Sequence, residues 1–138
     1  MSAQTAGRPV EILLVEDNPG DIRLTVEVLK EAEVRTNLSV VKDGVEAMAF
    51  LRREGHYTDA PRPDLILLDL NLPKKDGMEL LSDMNRDQNL KDIRVVILTT
   101  SEAEKDIHKS FDLSANCYIT KPIDVERLTM VMNSIKES

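Results

Sequence analysis

The sequence predicts an α/β domain: one parallel sheet of five strands with helices on both faces. Three observations carry that expectation. Five short apolar runs rich in Val, Ile and Leu recur along the chain, several near-continuous, as strands buried on both faces are. Amphipathic segments with their own start signals lie between them. The order is therefore βα repeated five times, and such alternation favours parallel strands joined by crossover helices.

Residues 1–9, within "MSAQTAGRPV", are polar and read as a flexible N-terminal arm. The strand candidates are 10–16 "VEILLVE", 38–42 "LSVVK", 64–69 "DLILLD", 93–99 "IRVVILT" and 115–119 "ANCYI". Asn18-Pro19 opens the first helix as a cap followed by a first-turn proline, with Asp21 at the third helical position. "DGVE" at 43–46, "DGME" at 76–79 and "SEAE" at 101–104 have the form of capping boxes for the next three helices. Ile22, Val26 and Leu29 share a face of the first helix, and Val125, Leu128, Met132 and Ile135 share one in the last. Each stripe would pack on the sheet. The segment "HYTDAPRP" at 56–63 carries two prolines and reads as a surface connection.

A chain of 138 residues suits one domain, and at this length about two-thirds of the unfolded surface is buried without staples. The expected layout is the arm at 1–9 and one domain over 10–138 with no output domain. A net charge of −7 disfavours nonspecific contact with nucleic acid. Cys117 alone makes no internal disulfide, which fits a reducing compartment. No apolar run has the length of a signal peptide core or a membrane span, so the expected setting is the cytoplasm, off the membrane.

Ligands of open α/β sheets bind beyond the carboxyl ends of the strands, so the residues that follow each strand matter most. The first run ends in Glu16-Asp17, the third in Asp69, the fourth in Thr99-Thr100, and the fifth runs to Lys121-Pro122. An acid at a strand end is ordinarily a cap or a solvated loop residue; here the constellation carries the argument. Three carboxylates at one rim repel, each pair by about 4 kcal/mol at roughly 4 Å and an effective dielectric of 20. A raised pKa or a bound cation relieves this, and hard carboxylate oxygens suit Mg²⁺. Asn71 is placed to add its main-chain carbonyl.

The pieces "ILLVEDNPGD" (12–21), "DLILLDLNLPKKDG" (64–77), "VVILTTS" (95–101) and "CYITKP" (117–122) together resemble the receiver domain of bacterial two-component response regulators, over nearly the whole chain. The "HYTDAPRP" loop and the "LNLPKKDG" wording are closest to single-domain regulators associated with phytochrome kinases. The resemblance implies a doubly wound, flavodoxin-like (CheY-like) fold of order 2-1-3-4-5. It implies Asp69 as the phosphoacceptor, Asp17 as direct Mg²⁺ ligand, Glu16 acting largely through metal-bound water, and the Asn71 carbonyl as a further metal ligand. Thr99 corresponds to the switch hydroxyl, Tyr118 to the switch aromatic, and Lys121 to the phosphate-pairing lysine, with a Lys121-Pro122 bond that is cis in the family. The implied partners are a sensor histidine kinase of phytochrome type and a separate downstream protein met through about residues 102–136, or a second copy of the chain.

Asn71 and Ser101 would flank the path of hydrolytic water to an acyl phosphate. Other residues read more plainly. Cys117 is a core residue, His56 and His108 are solvated, and Arg52-Arg53 and Lys74-Lys75 are surface pairs. Met78, Met84, Met130 and Met132 are expected in the core. Three other functions compete. An inert binding module would not need Glu16, Asp17, Asp69, Thr99 and Lys121 together. A phosphatase resembling the haloacid dehalogenase group carries an Asp where Asn71 stands. A nucleotide or flavin site would need glycines clustered, and the five at 7, 20, 44, 55 and 77 are scattered.

Overall fold

A computed structural model of the chain describes residues 9–32, 34–69, 77–99, 117–121 and 123–136. Its elements in chain order are β1 (Val10–Val15), α1 (Pro19–Glu31), β2 (Thr36–Val41), α2 (Gly44–Arg52), a single 3₁₀ turn (Gly55–Tyr57), β3 (Leu65–Asp69), α3 (Gly77–Arg86), β4 (Arg94–Thr99), β5 (Cys117–Thr120) and α4 (Val125–Lys136). The strands form one sheet of order β2-β1-β3-β4-β5, and every pair is parallel. The predicted class and order are those found. β2 begins two residues earlier than expected; of the strand expected over 115–119, residues 115–116 lie outside the described residues. The capping boxes at 76 and 101–104, and the helix expected after the latter, lie outside the described residues.

Strand alternation divides the core in two. Leu13, Val15, Ile66, Leu68, Val95 and Ile97 face Ala47, Met48 and Phe50 of α2 and Leu80, Leu81 and Met84 of α3. Ile12, Leu14, Leu65, Leu67, Val96 and Leu98 face Val28 and Leu29 of α1 and Leu128 and Met132 of α4. β3 is buried along its whole length, which explains its unbroken apolar sequence.

The helix starts behave as their sequences require. Asn18 Oδ1 accepts the Asp21 N–H at 3.0 Å, with Pro19 in the first turn. Asp43 Oδ1 accepts the Glu46 N–H at 2.8 Å. The Glu46 carboxylate, which a capping box would turn back on its own helix, accepts the Tyr57 hydroxyl at 2.8 Å. Three expectations need correction. In α1, Thr25, Val28 and Leu29 are the buried residues and Val26 is only partly covered, so the stripe sits about one position round. Thr25 lies inside because its hydroxyl donates to the Asp21 carbonyl at 2.9 Å, which satisfies it without water. Met130 is 71% exposed, because the inward face of α4 is set by Leu128 and Met132. The 56–63 connection is more than surface: Tyr57 packs on the core, its ring 5.4 Å from Phe50, and Pro63 is buried. His56 is exposed as expected, although its ring lies 4.1 Å from that of Tyr57. Arg52 and Arg53 are exposed, and Arg53 Nε donates to the Ala60 carbonyl at 2.9 Å, tying the same loop to the end of α2.

Candidate functional site

From β1 the chain passes to β2 on one side, and β3 then lies on the other side of β1. The connections therefore diverge at the carboxyl ends of β1 and β3, where open α/β sheets leave a crevice. Glu16 and Asp17 follow β1, and Asp69 is the last residue of β3. One carboxylate oxygen from each of the three lies within 4.8 Å of the others. Glu16 and Asp69 are buried, 1% and 6% exposed, and Asp17 is open to solvent.

Lys121, directly after β5, reaches into this group. Its ammonium donates to Glu16 Oε1 at 2.9 Å, Asp21 Oδ2 at 2.9 Å and Asp69 Oδ2 at 3.2 Å. Main-chain bonding fixes where it starts: the Lys121 N–H donates to the Thr99 carbonyl at 2.7 Å, continuing the β4–β5 ladder past Thr99 and Thr120. Glu16 is held from both ends, since its Oε2 accepts the Asn18 N–H at 3.3 Å and its own N–H donates to the Val41 carbonyl at 3.0 Å.

The electrostatics follow from this crowding. Burial raises the Glu16 carboxyl from 4.5 to about 7, and the nearby Asp69 carboxylate adds to the rise, while Lys121 opposes it. Burial acts to discharge Lys121, but its bonds to Asp21 and Glu16 and the charge of Asp69 outweigh that and hold it above the ordinary lysine range. Among the described residues the site gathers four carboxylates around one ammonium, an excess of negative charge that a small hard cation would offset. Its donor set, three carboxylates grouped at a strand-end rim and one open to water, fits a divalent metal that keeps water ligands.

Thr99 is buried at the end of β4. In the parallel register Leu98 stands beside Asp69 and Ile97 beside Tyr118. Alternation puts Thr99 with Val95 and Ile97 on the α2/α3 face, against which Tyr118 also packs. Tyr118 is half-buried, and burial raises its phenol pKa. The fold thus brings together Glu16, Asp17, Asp69 and Lys121, with Thr99 and Tyr118 sharing the opposite face of the adjoining strands. Asn71, Thr100, Ser101, Lys74, Lys75, His108 and Pro122 lie outside the described residues. Sequence reasoning missed Asp21 as a member of the site and read it as helix-end chemistry only. The available signal was its position four residues beyond Asp17, in the first turn of the helix that leaves the same rim.

Comparison with known proteins agrees with this fold. The response regulator receiver domain family matches residues 12–133. Response regulator Rcp1 of Synechocystis sp. is 48% identical over 128 residues, which cover 93% of this chain and 87% of that protein. The crystal structure of the phosphorylated cyanobacterial phytochrome response regulator RcpA matches with a TM-score of 0.78 at 52% identity, over 94% of this chain and 93% of that one. The Mn²⁺-bound form of Rcp1 matches with a TM-score of 0.76 at 48% identity, over 94% and 93%.

Proposed function

The chain belongs to the response regulator receiver domain family, and on that premise we propose that it takes a phosphoryl group from a histidine kinase onto Asp69 and relays the change through its surface. The single observation that carries the assignment is the placement of Asp69: a buried carboxylate at the end of β3, 3.2 Å from the Lys121 ammonium and grouped with Glu16 and Asp17.

An Asp69 oxygen attacks phosphorus as the bond from phosphorus to the donor histidine nitrogen breaks, and the imidazole leaves. The product is an acyl phosphate, which water hydrolyses slowly. Such transfer depends on position and electrostatics more than on covalent help. Lys121 pairs with a phosphoryl oxygen, a role supported by the main-chain bond to Thr99 that keeps it at the rim. Glu16, Asp17 and Asp69, with the Asn71 carbonyl, would hold Mg²⁺, which supplies charge compensation for the phosphoryl oxygens when bound. No turnover of a separate substrate is assigned. Asn71 in place of a second Asp argues against phosphatase chemistry, and with Ser101 it would tune the acyl phosphate lifetime.

Thr99 donates its hydroxyl to a phosphoryl oxygen, and the space it leaves on the α2/α3 face is taken by Tyr118. The observation in support is that Thr99 ends β4, the strand next to that of Asp69, and shares a face with Tyr118 of β5, the strand beyond. Such a packing switch biases two states by a local charge change. The surface affected is about 102–136, where exposed Met130 offers an apolar contact to a separate protein or a second copy of the chain. The kinase assigned is of phytochrome type, from the likeness to RcpA.

Intact mass after incubation with Mg²⁺ and acetyl phosphate tests the reading. One phosphate is expected, absent in Asp69→Asn and absent with chelator. No uptake from acetyl phosphate or from a phosphorylated histidine kinase would overturn it.

A further inference from the structure

Asp21 is the carboxylate on Lys121 that stands outside the metal-type cluster. An ammonium has three N–H donors, and in this site Glu16, Asp21 and Asp69 take one each. Glu16 and Asp69 are also among the three residues grouped for a cation. When a cation and a phosphoryl group enter, both change what they offer to Lys121, whereas Asp21 does not. Asp21 is also set for the task by its backbone: its N–H donates to Asn18 Oδ1 at 3.0 Å, and its carbonyl accepts the Thr25 hydroxyl at 2.9 Å. The first turn of α1 is thereby fixed, with the Asp21 carboxylate aimed across the rim at the end of β5. Lys121 is 12% exposed and Asp21 38%, so the contact is partly withdrawn from water and is stronger than an ordinary surface pair.

Resting on the reading that Lys121 pairs with the phosphoryl group, we infer that Asp21 is a positioning residue for phosphotransfer: it anchors the Lys121 ammonium at the rim through both metal binding and phosphorylation. A long flexible ammonium side chain needs such a tether, because a misplaced charge loses much of its effect on the transition state.

Asp21→Asn keeps both backbone contacts and removes the charge. The initial rate of Asp69 phosphorylation by acetyl phosphate at saturating Mg²⁺ should fall about tenfold, the size expected for one partly buried charge-assisted bond. Asp21→Glu should recover part of that loss. In a Lys121→Met background, Asp21→Asn should have no further effect, because the role runs through Lys121. A readout independent of phosphorylation is the Lys121 ammonium resonance in ¹⁵N NMR of the metal-free protein. It should be protected in the wild type and broadened by exchange in Asp21→Asn. An unchanged or faster rate in Asp21→Asn, the same slowing without Lys121, or an unchanged resonance would each overturn the role. If the wild type takes no phosphate at all, the reading of Lys121 falls and this role falls with it. Normal uptake with an indifferent Asp21→Asn removes the role of Asp21 alone.

Discussion

Replacing Asp69 by Asn should make the metal-free protein more stable while abolishing phosphorylation. Asn has nearly the same shape, so the change is mainly one of charge. With carboxylate oxygens within 4.8 Å of one another, each ionised pair repels by about 3.5 kcal/mol at an effective dielectric of 20. Asp69 takes part in two such pairs, with Glu16 and Asp17. Among the described residues the ion pair set against them is with Lys121 at 3.2 Å, worth about 5 kcal/mol on the same scale. Solvent at Asp17 weakens one repulsion, and relief from desolvating a buried carboxylate adds to the gain. The balance favours Asn by about 1–2 kcal/mol. Urea denaturation in EDTA at pH 8, where Glu16 is mostly ionised, should show the midpoint raised by roughly 0.5–1 M. Saturating Mg²⁺ should narrow or reverse the order, since a ligand at 100 times its Kd stabilises by about 2.7 kcal/mol only where the site is intact. A variant less stable than wild type in EDTA would refute the reasoning, because it would make Asp69 a net structural partner of Lys121.

Two further outcomes are expected. The Glu16 carboxyl is raised in the folded state from 4.5 to about 7, so the folded protein binds that proton more tightly than the unfolded chain. The stabilisation is complete below pH 4.5 and is lost as pH rises through about 7, amounting to about 3 kcal/mol at most. Urea midpoints in EDTA should therefore decline between about pH 5 and 8, and Glu16→Gln should flatten the decline; a wild-type profile without it would exclude the raised carboxyl. Tyr57→Phe removes the 2.8 Å bond to Glu46 but keeps the ring on Phe50. It should cost about 1 kcal/mol by urea denaturation, and an unchanged midpoint would show that the loop contributes through packing alone.

Much of the fold was legible because its signals are local. Runs such as "LILLD" at 65–69 and the Asn18-Pro19 and Asp43 helix starts encode their elements without reference to distant residues. The misreadings arose where a distant partner decides. Thr25 enters the core in place of Val26, and Met130 faces outward, because the direction of a helical stripe depends on how the helix is seated on the sheet. Tyr57 looked like a loop residue until Glu46 and Phe50, from a different element, came within reach of it.

The sequence by itself determined the class of the fold, the strand ends that carry chemistry and the identities of Glu16, Asp17, Asp69, Thr99 and Lys121 as candidates, because alternating βα segments place every strand terminus at one rim. Only the tertiary structure decided which charges meet. Lys121 lies 105 residues from Glu16, 100 from Asp21 and 52 from Asp69 in sequence, and no local pattern encodes a contact across such separations. The parallel register brings β5 to β4 and β3 to β1, and α1 adds a fourth carboxylate that helix-cap chemistry had seemed to account for. Charge pairing falls off with distance in space, so the raised Glu16 carboxyl and the tether on Lys121 exist only once the sheet has closed the gap.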